Sequence, residues 1–268
     1  MKRTISLLAT TAVLALTLSA CGGSGSDAES KSSESTSSLQ KVKDSGVLTV
    51  GTEGTYRPFS YHEGADLTGY DVDVIKAVGE KMGVEVKFQE TQWDAIFAGL
   101  EAGRFDVIAN EVGINPDREE KYLFSEPYSV STGVVVTKSD NTDITSFDSL
   151  KGKTTAQSLT SNYYEEAKKV GANVEPVEGW AQAITLLKQG RVDATINDKL
   201  TFLDSQKTNP DDSIKIAAEA DEKSESGVAL RKDSTDLQKA INDALEQLRA
   251  DGELAKISEK YFGEDISK

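Results

Sequence analysis

The chain has 268 residues, 37% of them hydrophobic, and a formal charge of −15, with one cysteine and one histidine. That charge leaves no basic stripe to neutralise phosphates, which excludes a nucleic-acid binder, and a single cysteine excludes both a disulfide framework and a cysteine metal cluster. The length and the apolar content suit two lobes or one large domain with an adequate core, and the acidity itself reads as a solubility property.

The N-terminus carries an address. Lys2 and Arg3 precede an apolar run, Ile5 to Leu18, broken only by Ser and Thr, and Leu18-Ser19-Ala20-Cys21 follows. This is the layout of a secretory signal, residues 1–20. The run falls short of the roughly 20 residues that cross a bilayer, and no later stretch approaches that length, so the mature chain is not expected to span a membrane. Leu-Ser-Ala-Cys resembles the bacterial lipobox, which implies cleavage before Cys21, acylation of its thiol, and attachment to the outer face of the cell membrane by lipid alone. Residues 22–38 are dominated by Gly, Ser and charged side chains, so residues 21–38 are expected to form an anchor and flexible tether. Loss of residues 1–20, which hold Lys2 and Arg3 and no acid, takes the charge from −15 to −17.

Next come a strand at 47–51, an amphipathic helix at 70–82 and a strand at 84–88. A helix then opens at Trp93 and ends near Gly103, a C′ position that favours glycine, and an apolar strand at 105–109 follows. The same order repeats downstream: a strand at 153–157, a helix at 162–171, a strand at 174–177, a helix from Trp180 to Gly190 and a strand at 192–196. The repetition is literal. Trp93, Leu100, Gly103, Arg104, Asp106 and Asn110 align without a gap on Trp180, Leu187, Gly190, Arg191, Asp193 and Asn197, and an acid follows the asparagine in both copies. Both tryptophans of the chain fall in register, so the chain is expected to contain two similar lobes.

Alternating strands and helices predict an α/β architecture with open, mostly parallel sheets. Ligands of such sheets sit at the carboxyl ends of the strands, which puts Asn110-Glu111 and Asn197-Asp198 on facing walls of one cleft. Asp198 is also placed to cap a helix at 199–206, and Glu111 is equally consistent with an ordinary loop acid. The lone histidine, His62, has no cysteine or metal-ligand spacing near it, and no phosphate loop or nucleophile elbow occurs. No cofactor, no metal and no enzymatic activity are therefore expected.

Recognition residues follow the first strand. Gly51-Thr52 leads, after three intervening residues, into Tyr56, Pro58 and Phe59, then come Gly69-Tyr70-Asp71-Val72-Asp73, Trp93-Asp94, Gly103-Arg104-Phe105-Asp106, Pro116-Asp117-Arg118, Phe124-Ser125-Glu126-Pro127-Tyr128 and, at the end, Gly252-Glu253-Leu254-Ala255-Lys256. In this order and spacing they resemble family 3 of the bacterial extracellular solute-binding proteins, the polar amino acid binders, over essentially the whole mature length. The resemblance implies a type II periplasmic-binding-protein fold: two α/β lobes, 39–130 with 226–268 and 131–225, joined by crossings near 129–133 and 223–227 that hinge closed on a ligand. It implies a monomer that delivers its ligand to the permease of an ABC importer.

It also implies roles. Arg118 falls on the position that clamps the ligand α-carboxylate with a planar fork, Asp198 on the acid that accepts from the α-ammonium, and Tyr56 and Trp93 on rings that enclose the side chain. Glu53 matches a polar pocket position. Ser158, Thr160 and Ser161 precede the second-lobe helix, where N–H groups bind carboxylate and a hydroxyl caps the end. The sequence departs from many relatives at Gly113 and Asn115, which replace hydroxyl residues, so Gly113 is expected to offer backbone contacts. Asn110-Glu111-Val112 resembles the Asn-Gln-Val of cystine-binding members, and Glu225 to Lys232 looks like theirs too. Cystine is therefore the expected ligand, with Glu111 meeting its second ammonium. Glutamine, glutamate or arginine are the alternatives, ahead of a dehydratase or lyase on the same fold or a sensor lipoprotein.

Overall fold

A computed structural model describes residues 37–268; the signal, Cys21 and the tether up to residue 36 lie outside the described residues. The duplicated segment shows how the sequence builds each lobe. Its helices run Trp93–Glu101 and Trp180–Lys188, and each is stopped by a glycine in the left-handed region, Gly103 at φ 67° and Gly190 at φ 68°, where a Cβ would be strained. Leu100 and Leu187 are wholly buried beneath their helices. The repeated aspartates then pin the chain to a parallel strand upstream of each copy: Asp106 accepts from Thr49 N at 2.9 Å and Thr49 Oγ1 at 2.6 Å, and Asp193 accepts from Thr154 N at 2.8 Å.

One sheet has the order Glu85–Glu90, Val47–Thr52, Val107–Ile108, Ala229–Arg231, Tyr122–Phe124. Its first three strands are parallel, and Ala229–Arg231 pairs antiparallel with both Val107–Ile108 and Tyr122–Phe124. In the other half, Asn173–Pro176 runs parallel to Thr154–Gln157, and Thr155 bridges in parallel to Ala194. The strand Thr195–Asp198 pairs antiparallel with Ser129–Lys138, which pairs antiparallel with Ile214–Ser226. The strands made by the duplication are thus parallel, as expected, and the strands that carry the chain between the halves are not. Those two long strands pair from Lys138↔Ile214 to Ser129↔Ser226. One difference bears on the site: the strand expected at 192–196 lies at Thr195–Asp198, because pairing with Val134 and Gly133 holds Asn197 and Asp198 in the ladder.

The central strands Val47–Thr52 and Ser129–Lys138 are covered by packed side chains on both faces. Along Ser129–Lys138, Val134 and Val136 pack with Leu187, Phe202 and Ile214, while Val135 turns to Ile144, Leu150 and Ile196, which is the period-two alternation of a strand covered by helices on each side. The helix Tyr70–Met82 sends Val74, Ile75 and Val78 into one core with Leu48, Val50 and Leu230, closed by Ile241 and Leu245 from the penultimate helix Thr235–Ala250. Among the described residues no helix is long and apolar enough to cross a membrane.

Candidate functional site

The carboxyl ends of both parallel strand sets open on a cavity of about 350 Å³, near the small end of the roughly 300–1,000 Å³ typical of ligand pockets. Of the residues singled out in the sequence, Glu53, Tyr56, Trp93, Asn110, Glu111 and Gly113 line it from one side, and Ser158, Ser161 and Asp198 from the other. Thr160 and Arg118 do not line it.

At the end nearest the crossing strands, three acids are buried together. Asp198 caps the helix Lys199–Thr208, its carboxylate accepting from Leu200 N at 2.7 Å, Ser131 Oγ at 2.7 Å and Tyr163 Oη at 3.4 Å. Glu111 has φ 48°, the one non-glycine residue with positive φ among those described, a conformation that is strained for a side chain of this size. Its N–H donates to the Asp71 carboxylate and its own carboxylate accepts from the Ser129 hydroxyl, leaving Oε2 buried without a partner. Burial pushes the Asp71 carboxyl up to about 8 and that of Asp198 up to about 6. Burial raises Glu111 well above the carboxylate range, and the neighbouring charges of Asp71 and Asp198 raise it further. Among the described residues no cation faces these three acids, so Asp71 and Glu111 favour their protonated forms at neutral pH; an ammonium is the group this arrangement lacks.

Asn110 lines the cavity with its side chain engaged by its neighbours. Its Oδ1 accepts from Glu53 N at 2.8 Å and Thr52 Oγ1 at 3.0 Å, and its Nδ2 donates to Glu53 Oε2 at 2.7 Å. Glu53, so held, is pushed up to about 7 by burial, with the Asn110 bond opposing and Asp94 and Glu178 adding. Tyr56 Oη donates to Asn197 Oδ1 at 3.1 Å, tying the two walls together.

Arg118 is buried, which lowers it to about 10, still a cation at neutral pH. Its guanidinium donates to Gly113 O at 2.9 Å and Thr160 O at 3.1 Å and lies 5.4 Å from the Trp93 ring and 5.3 Å from that of Phe97. Thr160 in turn donates to Asp94 Oδ1 through its N–H at 3.1 Å and its hydroxyl at 2.7 Å. Both residues expected inside the cleft therefore lie in its seam, because carbonyls and a carboxylate from facing loops satisfy their donors there. Arg57 closes the other side with Asp204 at 3.1 Å. Ser161 caps the helix Asn162–Lys169 through Tyr164 N at 3.0 Å.

Trp180, Tyr163, Asp71 and Gln157 were missed as site residues. Trp180 and Tyr163 line the cavity with Gln157, and Asp71 supports Glu111 from behind. For Trp180 the signal was present, since it is the register mate of Trp93 and both rings face the same cavity from opposite lobes.

Residues 48–264 match the model of the bacterial extracellular solute-binding proteins, family 3. The chain is 51% identical over 265 residues to the L-cystine-binding protein TcyA of Bacillus subtilis (strain 168), covering 98% of both chains. Among solved structures, the L-cystine solute receptor of Neisseria gonorrhoeae in its unliganded open conformation is 50% identical, covers 87% of this chain and 100% of its own, and superposes with a TM-score of 0.58. An ancestral arginine-binding protein bound to arginine is only 36% identical, with 81% and 99% covered, yet superposes at 0.77. The better match to the bound structure, against the order of identity, agrees with the seam contacts: the lobes here are drawn together.

Proposed function

The chain belongs to the bacterial extracellular solute-binding proteins, family 3, and from that premise we propose that it captures L-cystine outside the cytoplasm for an ABC importer and does so as a binder, not an enzyme. The observation that carries this reading is the buried acid pair Glu111 and Asp198 in a cavity walled by both lobes, in a chain half identical to an L-cystine-binding protein.

In this reading the α-ammonium of the ligand enters between Asp198 and Glu111 and supplies the missing cation, and the carbon and sulfur chain lies against Tyr56, Trp93 and Trp180. The α-carboxylate draws on the backbone at Gly113, on Ser158 and Ser161 at the second-lobe helix start, and on Arg118. Exchange of the Thr160 carbonyl for a carboxylate gives Arg118 a charged acceptor in place of a neutral one, and such bonds are about twice as strong. Thr160 holds the seam through Asp94. Closure about the strands at 129–133 and 223–227 brings the lobes, 39–130 with 226–268 and 131–225, onto the ligand. Cleavage after residue 20 and acylation of Cys21 would hold the monomer at the membrane by its tether while it meets the permease.

Isothermal titration tests this directly. L-cystine is expected to bind one to one at micromolar affinity or tighter, about −8 kcal/mol or better, with glutamine, glutamate and arginine far weaker. Tight binding of one of the comparators in its place would keep the fold and overturn the ligand; turnover of any of them would overturn the binder. For the anchor, a Cys21→Ala chain is expected to leave the membrane fraction.

A further inference from the structure

The cavity has a second end. Glu85–Glu90 and Asn173–Pro176 are the edge strands on the side of each sheet away from the crossing pair, and the helices Trp93–Glu101 and Trp180–Lys188 follow them. Their starts, Gln92-Trp93 and Glu178 to Gln182, line the cavity. Gly179, the N-cap of the second helix, has no side chain to spend on the first-turn N–H groups. Those groups stay open at the positive end of the helix dipole, where an anion is favoured.

A side chain beside that start points to the same ligand chemistry. Gln157 lines the cavity and is 3% exposed, and its carbonyl accepts from Val177 N at 3.1 Å, which holds it next to Glu178. Its side-chain amide nitrogen has no partner among the described residues. The Trp93 indole N–H, also buried on the cavity wall, has none either. Buried donors in native proteins are nearly always satisfied, so two idle ones, Gln157 on the second-lobe wall and Trp93 on the first, mark a place that an acceptor fills. On the Trp93 side, across from Gln157, Glu53 is held by Asn110 through Oε2 alone, leaving Oε1 for another donor.

We propose that this end is a second head-group seat, in which Gln157 and the open start of the helix Trp180–Lys188 take a carboxylate and Glu53 takes an ammonium. The site thereby selects an amino acid with a zwitterionic head at each end. The inference rests on the reading of the chain as an L-cystine binder, and it moves the second ammonium from Glu111, which shares the first end with Asp198, to Glu53.

The test is a titration of the full chain with three probes: L-cystine, L-cystathionine, which has two heads but no disulfide, and S-methyl-L-cysteine, which has one head. Both two-headed probes are expected to bind the unaltered protein at least about tenfold tighter than the one-headed probe. That comparison needs no variant to fold. Gln157→Leu and Glu53→Gln are each expected to cut the ratio of cystine to S-methyl-L-cysteine affinity by about tenfold, and Gln157→Glu, which sets like charge against the carboxylate, by more. A ratio held within about twofold in these variants, or equal losses for both probes, would assign the two residues to wall packing and overturn the seat. Equal affinity of the unaltered protein for cystine and S-methyl-L-cysteine would overturn it while leaving amino acid capture standing. Binding of neither would overturn the cystine reading and the seat with it.

Discussion

The two copies of the duplicated segment agree up to their last two residues and part there. Each builds a helix opened by tryptophan, a glycine stop, a buried leucine and an aspartate that pins the next strand. After that, Asn197-Asp198 stays in its strand, paired to Val134 and Gly133, and Asp198 caps a helix. Asn110-Glu111 leaves its strand in a left-handed turn, with Asn110 spent on Glu53 and Glu111 folded against Asp71 and Ser129. The shared part is scaffold, fixed by packing and backbone geometry. The lobes specialise only where strand ends meet the cavity.

The comparison breaks most sharply at the charged groups. Asp198→Asn keeps a capping side chain but removes the charge, and is expected to weaken L-cystine binding by on the order of 2–5 kcal/mol, as is Arg118→Ala, both read by titration. Glu111→Gln should cost less than Asp198→Asn, because Asp198 remains; an equal or larger cost would make Glu111 the leading acid of the pair.

On the scaffold side the copies should behave alike. Leu100→Ala and Leu187→Ala each empty a wholly buried position in the same register, and each is expected to cost about 2–5 kcal/mol in urea unfolding. Costs that differ by more than that spread would show that one lobe relaxes around its cavity and the other does not.

Smaller still is the effect of pH, and its sign separates folding from binding. Asp71 and Glu53 have folded values raised to about 8 and about 7, above those of the unfolded chain. The folded state therefore holds protons that the unfolded state releases, so this contribution to stability is full below about pH 4 and is lost as pH rises toward 8. The ligand-free protein is expected to melt at a lower temperature at pH 8 than at pH 5, and Asp71→Asn to flatten the slope. Binding runs the other way: an ammonium favours the ionised acids, so L-cystine affinity should rise from pH 5 to pH 7 by up to about tenfold per unit for each proton displaced. Least of all, Asp106→Asn and Asp193→Asn should each cost about 1 kcal/mol of stability, with Asp106 the larger because it accepts two bonds from Thr49 where Asp193 accepts one from Thr154 N.

The helices, their glycine stops and the strand order within each copy were legible because they depend on local periodicity and on the backbone freedom of single residues. Tyr56, Trp93 and Asp198 were legible as cavity residues through their motifs. The seam was not. Arg118 meets Thr160 and Thr160 meets Asp94 only because two loops far apart in the chain are brought face to face, and nothing in either loop announces the other. Asp71 was quoted within a motif yet not read as part of the site, since its burial behind Glu111 depends on the left-handed turn at that residue. Gln157 carried no sequence signal, for an uncommitted amide is visible only once its surroundings are known.

The most direct test of the account is a crystal structure of the chain with L-cystine. It should show one ammonium in hydrogen-bond contact with both Asp198 and Glu111, with the Tyr56, Trp93 and Trp180 rings against the ligand chain. A cystine bound elsewhere, or in this cavity with no ammonium on Asp198, would contradict it.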